Sequence, residues 1–102
     1  MEVGIFRFEF DPSVRLAEAE MSLHLALYAA EGLFGEARVR LDASYTMDEA
    51  GRSITVDGIS EVGAAVIKVF TGLLTREFGE HSFQVQRVAR AAKSQEPTSI
   101  SP

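Results

Sequence analysis

One stretch of the sequence places a carboxylate, an imidazole and a phenol along the same helical edge. Glu20, His24 and Tyr28 follow one another four residues apart, and side chains at that spacing are neighbours on a helix. A carboxylate beside an imidazole can orient it as a general base, and a phenol can supply a proton. These three residues are the candidates for a catalytic or ligand-binding site.

The same edge is a poor starting point for a metal site. One helix turn offers at most two ligands here, and the sequence specifies no third or fourth. Cysteine is absent, which removes thiolate ligands, disulfides and a cysteine nucleophile. The glycines lack a phosphate-binding spacing. We therefore expect neither a metal nor a cofactor, and we assign no role to His81, which precedes the last predicted strand.

The first predicted helix is also apolar on two sides. At about 100° per residue, Leu16, Leu23, Leu27, Ala30 and Phe34 form one stripe, and a second set lies roughly opposite. Only one side can face a sheet, so the second set is either exposed for a partner or packed within the chain. Met and Tyr are common at interfaces. The predicted partner-binding residues are therefore Met21, Leu25 and Tyr28, in a set that also includes Val14.

The charge and hydrophobicity of the chain limit the classes of partner that we expect. Ten basic residues stand against fifteen acidic ones, and the net charge of -5 repels phosphate backbones, so nucleic acid is not expected. No stretch approaches the roughly 20 apolar residues of a membrane span, and the first residues do not resemble a signal peptide. We expect a cytoplasmic protein that forms a homo-oligomer or binds a protein partner, without nucleic acid or membrane.

The elements that would position these residues follow from hydrophobic periodicity. Phe6, Phe8 and Phe10 alternate with charged residues as in a half-buried strand, and Asp11 with Pro12 is typical of a helix start. The first helix is predicted to run from there to about Leu33. A second helix, capped by Ser60, and a last strand over 81–88 complete the pattern.

Residues 36–47 alternate between apolar and polar types and predict the second strand. With 48–51 as the loop, Met47 faces Arg52 and Tyr45 faces Ile54 in the predicted hairpin. The outer face of the sheet would then be polar. Arg7, Arg38 and Arg40 could form a small anion site on it, but Glu9 and Asp42 lie among them, so we expect a solvated face of ion pairs. The exposed aromatic platform of RNA-recognition sheets is missing, because the strand aromatics all point inward.

Together these elements predict an α+β fold. We expect a two-layer, ferredoxin-like βαββαβ sandwich in which two helices cover one face of a four-stranded antiparallel sheet, with the first and third strands central. Residues 1–90 form the predicted domain, and residues 91–102 form a predicted flexible tail because they hold one large apolar residue.

This architecture supports many functions and specifies none. The hypothesis that follows from the apolar helix is a small, non-enzymatic interaction or oligomerisation module. The alternative is a small enzyme or ligand-binding domain with a pocket beside Glu20, His24 and Tyr28.

Overall fold

The fold is given by a computed structural model that describes residues 4–90, so the predicted tail at 91–102 lies outside the described residues. Three helices and four strands make up this part of the chain. In chain order they are β1 (Gly4–Phe10), α1 (Leu16–Phe34), α2 (Glu36–Asp42), β2 (Tyr45–Asp48), β3 (Ser53–Asp57), α3 (Glu61–Phe78) and β4 (Phe83–Arg90).

The four strands form one antiparallel sheet in the order β2, β3, β1, β4. The α+β class is therefore confirmed, and the first and third strands are central as expected. Phe8 of β1 lies opposite Ile54 of β3 on one side and Val85 of β4 on the other. This register gathers the apolar positions of the strands on one face.

The core lies between that face and the two long helices. Phe8 is fully buried, and its ring centroid is 4.8 Å from that of Phe70 in α3. Leu23 of α1 and Leu74 of α3 are also fully buried in the same cluster. Burying side chains of this size contributes about 1.5 to 3 kcal/mol each, which makes this layer the main source of stability.

The helix α3 follows the sequence prediction closely. The Ser60 hydroxyl accepts a hydrogen bond from the backbone amide of Gly63 at 2.9 Å, which is the predicted N-cap. Val62, Val66 and Phe70 recur at a spacing of four and are fully buried. The helix ends at Gly79, whose φ of 90° is a conformation that glycine adopts readily.

The helix α2 corrects the predicted fold. Residues 36–42 form a helix instead of the first half of a strand, so the described chain has three helices in the order βααββαβ, and the two-helix ferredoxin-like βαββαβ arrangement is wrong in that respect. Glu36 and Arg40 pair at 2.7 Å across one helical turn, as do Arg38 and Asp42 at 3.7 Å.

The packing of residues 36–42 explains why their alternating pattern wrongly predicted a strand. Of its apolar residues only Val39 is buried, whereas Leu41 is 83% exposed. The Arg38 guanidinium lies 5.1 Å from the Phe34 ring centroid and 3.5 Å from a Glu61 carboxylate oxygen. The segment therefore contacts both long helices. Its side chains do not have to alternate between two faces, as they would in a strand.

The start of α1 also differs from the prediction. Asp11 does not cap the helix, which begins at Leu16 without a side-chain cap. The Asp11 carboxylate instead accepts bonds from the backbone amide and the hydroxyl of Ser13, at 3.1 and 2.6 Å. These bonds hold the pKa of Asp11 below its ordinary value of 3.8. Asp11 and Ser13 thus form a turn that delays the helix.

The hairpin between β2 and β3 is offset by two residues from the prediction. Met47 faces Ile54, and Tyr45 faces Val56, whereas Arg52 leaves the strand at a φ of 51°. An offset of two keeps each side chain on its predicted face. The Arg52 guanidinium donates to the carbonyl oxygens of Phe10, Asp11 and Val14, which accounts for its place in the loop.

Candidate functional site

The helix α1 and the first residue of β2 together build a hydrogen-bonded chain of three side chains. The Tyr45 hydroxyl donates to Glu20 Oε2 at 2.9 Å, and the same hydroxyl lies 3.0 Å from His24 Nε2. The direct distance from His24 Nε2 to Glu20 Oε2 is 3.9 Å. The phenol therefore bridges the imidazole and the carboxylate that the sequence places one turn apart.

When Glu20 is ionised, the number of available hydrogens determines which of the three side chains donates and which accepts in each hydrogen bond. The phenol has one hydrogen, and it goes to the carboxylate, which can only accept. His24 Nε2 must then carry a hydrogen and donate it to the phenol oxygen. In the neutral ring this leaves Nδ1 as the acceptor, so the imidazole is held in one tautomer with a free basic nitrogen.

The surroundings of Tyr45 disfavour its ionised form. Burial has the largest effect in raising the pKa of Tyr45 above its ordinary value of 10.0, followed by its hydrogen bond to Glu20 and the negative charge of that carboxylate. Tyr45 therefore stays protonated at neutral pH and acts as a fixed donor.

A concavity of about 260 Å³ lies beside this chain. Its lining residues are His24, Leu27, Tyr28 and Glu31, all on one edge of α1. His24 reaches it from a half-exposed position, since half of its side chain is open to solvent. The concavity thus combines an imidazole, a phenol and a carboxylate with one apolar wall.

The sequence located two of the three bonded residues. Glu20 and His24 are brought together as expected, but the bridging phenol is Tyr45 and not Tyr28. Within the described residues Tyr28 makes no hydrogen bond to His24 and only lines the concavity. Tyr45 lies 21 residues from His24 along the chain, so no local spacing points to the contact. Its only signal in the sequence is its inward position near the end of the predicted second strand.

The other candidate surface is the outer face of α1. Met21, Leu25 and Tyr28 are 66%, 57% and 68% exposed, so more than half of each residue is open to solvent in the described part of the chain. Val14, from the same predicted set, is buried. Between residues 17 and 33, Glu18 is the only Asp, Glu, Lys or Arg that is exposed; the exposed residues there are Ala17, Glu18, Met21, His24, Leu25, Tyr28, Ala29, Gly32 and Leu33.

The neighbouring helix α3 provides an internal comparison. It packs on the same sheet beside α1, and its exposed residues are Glu61, Lys68, Gly72, Thr75, Arg76 and Glu77. That outer face carries charge and no large apolar side chain, as expected where a helix faces water. The outer face of α1 therefore differs from that of α3, the other long helix.

The three arginines that could have formed an anion site on the sheet do not come together. Arg38 and Arg40 belong to α2, where they pair with Asp42 and Glu36. Arg7 remains on the sheet, bonded to Gln86 at 3.0 Å and 3.2 Å from Glu9. Since the three arginines do not meet, the possible anion site does not form.

The second histidine of residues 4–90 lies away from the site on α1. His81 lies beside Glu80 at 3.7 Å and is almost fully exposed. No group of three or more potential metal ligands comes together in this part of the chain. None of the helices here is long and apolar enough to cross a membrane.

Comparison with known proteins gives no relative. A scan against protein-family models finds no match, and searches of the curated proteins and of the solved structures find none either.

Proposed function

We propose that this chain is a small interaction module that self-associates through the outer face of α1. The observation that carries the proposal is the row of three large, exposed side chains, Met21, Leu25 and Tyr28, on a helix face where Glu18 is the only fully exposed charged residue. Covering such a face removes apolar area from water, which favours association by roughly 25 cal/mol per Å².

A second copy of the chain is the occupant we favour. Residues 91–102 contain Ile100 as their only large apolar residue, so this segment offers too little apolar surface to match three anchors. A copy of α1 presents the same three anchors and the same low charge. One helix face is a small contact compared with the roughly 800 Å² per partner of a standard interface. We therefore expect a reversible dimer that dissociates on dilution.

The test is molecular mass by light scattering across a hundredfold range of protein concentration. The parent chain should change from monomer to dimer, and Leu25→Glu should remain a folded monomer because it places a carboxylate in the centre of the contact. Leu41→Glu is the matched control, since Leu41 is even more exposed but lies on α2. It should dimerise like the parent.

Two results would overturn the proposal. One is a parent chain that stays monomeric at every concentration. The other is a Leu25→Glu variant that still dimerises, because the contact would then lie elsewhere. Circular dichroism of each variant separates loss of association from loss of folding.

A second candidate function is supported by the Glu20, Tyr45 and His24 chain. The free Nδ1 of His24 and the adjacent concavity could bind a small polar ligand or act on it as a base. Titrating inorganic phosphate and, separately, tetramethylammonium while following the imidazole proton resonances tests this. Ligand binding predicts a saturable shift at His24 without one at the exposed His81; equal or absent shifts contradict it.

A further inference from the structure

The exposed face of α1 has the spacing of a coiled-coil seam. Glu18, Met21, Leu25, Tyr28 and Gly32 are separated by three, four, three and four residues, and all five are exposed. Positions spaced in this way lie along one line of a helix and pack against a second helix in layers. The seam therefore specifies which residues meet in each possible pairing of two copies.

We infer that two copies of the chain pair antiparallel along this seam, about a two-fold axis level with the point midway between residues 26 and 27. The inference rests on the self-association proposed above and adds the orientation and register. Each layer then joins unlike residues of the two copies: Leu25 meets Tyr28, and Met21 meets Gly32. Glu18 lies level with Gly35 of the second copy.

Side-chain size favours this pairing. In the antiparallel register Met21 fills the space that Gly32 leaves open on the second copy. A Cβ placed on Gly32 would meet nothing within 4 Å in its own chain, so intramolecular packing does not require glycine there. In a parallel pair, like residues would meet, and Gly32 facing Gly32 would leave a gap in the seam.

Charge favours the same orientation. Parallel pairing would bring Glu18 beside Glu18 of the second copy, and like charges in contact disfavour association. Antiparallel pairing separates these carboxylates to opposite ends of the contact.

Cysteine cross-linking tests the register. Because the sequence contains no cysteine, every disulfide must form between introduced cysteines. Met21→Cys and Gly32→Cys are mixed, one of them carrying a tag, and oxidised mildly. In the antiparallel pair these two positions share a layer, whereas two copies of residue 21 are about 16 Å apart along the axis at 1.5 Å per residue. A disulfide needs Cα atoms within about 7 Å.

The expected result is a mixed disulfide well above the half share that random pairing would produce, with Met21→Cys alone forming almost none. Lys68→Cys, on the charged face of α3, should form no specific cross-link. Leu25→Cys with Tyr28→Cys tests a second layer of the same register and does not depend on substituting Gly32.

The outcomes of cross-linking and light scattering distinguish failure of the antiparallel register from failure of the proposed self-association. Self-linked Met21→Cys as the main product would mean a parallel pair, and a dimeric parent without either mixed cross-link would place the contact in another register or elsewhere. Both overturn the antiparallel seam and leave self-association intact. A parent chain that is monomeric by light scattering overturns both.

Discussion

At the scale of single residues, Tyr45 determines what the His24 region can do. Its hydroxyl donates to Glu20 and lies within hydrogen-bond distance of His24 Nε2, so the phenol holds both groups in place. The T-shaped contact between the Tyr45 and His24 rings, with centroids 6.2 Å apart, restricts the imidazole further. The chemistry near His24 thus depends on a strand residue that is distant in sequence.

The first prediction concerns the titration of Tyr45. The chain has two tyrosines, so Tyr28→Phe leaves Tyr45 as the only phenol. Its absorbance near 295 nm should titrate with a midpoint above the ordinary phenol pKa of 10.0. Replacing Glu20 with Gln as well should lower that midpoint, because it removes the carboxylate charge. A midpoint at or below 10.0 in the folded protein would contradict the buried, carboxylate-bonded geometry.

The same shift has a consequence for stability. Because the folded-state pKa of Tyr45 is raised, its contribution is fully present below the unfolded-state pKa near 10.0 and is lost as pH rises through the folded-state pKa. The free energy of unfolding should therefore fall more steeply above pH 10 in Tyr28→Phe than in Tyr28→Phe with Tyr45→Phe. Urea unfolding at several pH values measures the difference.

At the scale of elements, α3 contains two glycines with opposite roles. A Cβ on Gly63 would clash with the backbone oxygen of Asp57, so the start of the helix packs too closely against the end of β3 for any larger residue. A Cβ on Gly72 would meet nothing within 4 Å. Close packing therefore explains the glycine at Gly63 but not the glycine at Gly72.

These two positions give a matched pair of substitutions. Gly72→Ala should stabilise the protein by about 0.5 to 1 kcal/mol, since alanine is the better helix former and has room. Gly63→Ala should destabilise it, by about 1 to 3 kcal/mol if the strain is comparable to overpacking in a core. Chemical unfolding of both variants measures the changes. Equal effects at the two sites would contradict the close contact with Asp57.

At the scale of the whole molecule, the two long helices have outer faces of different chemical character. The outer face of α3 is charged like an ordinary solvent-facing helix, and the outer face of α1 is apolar. Both helices cover the same sheet, so the difference does not arise from burial in the core. The α1 face is the one that we propose a second copy covers.

Association should therefore contribute to thermal stability. If the dimer forms only from folded chains, its melting temperature rises with protein concentration by mass action. The parent and Leu41→Glu should show this rise, and Leu25→Glu should melt at a temperature that does not depend on concentration. Differential scanning calorimetry at widely spaced concentrations checks this. A concentration-independent parent would argue against dimerisation through α1.

Local sequence patterns determined much of this molecule. The alternation of Phe6, Phe8 and Phe10 specified β1, and the helical spacing of Val62, Val66 and Phe70 with the Ser60 cap specified α3. Both patterns span several periods of one element and agree with its burial. The apolar set at Met21, Leu25 and Tyr28 was equally visible, but the sequence left open whether it was exposed.

Tertiary structure decided the remaining features. Residues 36–42 alternate like a strand, yet α2 forms because its i,i+4 ion pairs are satisfied and its anchors lie on α1 and α3. Tyr45 meets His24 only because β2 begins beside α1. Exposure of the α1 seam likewise depends on how the helix is rotated on the sheet. Periodicity specifies which residues share a face, whereas contacts between distant segments decide which face is buried.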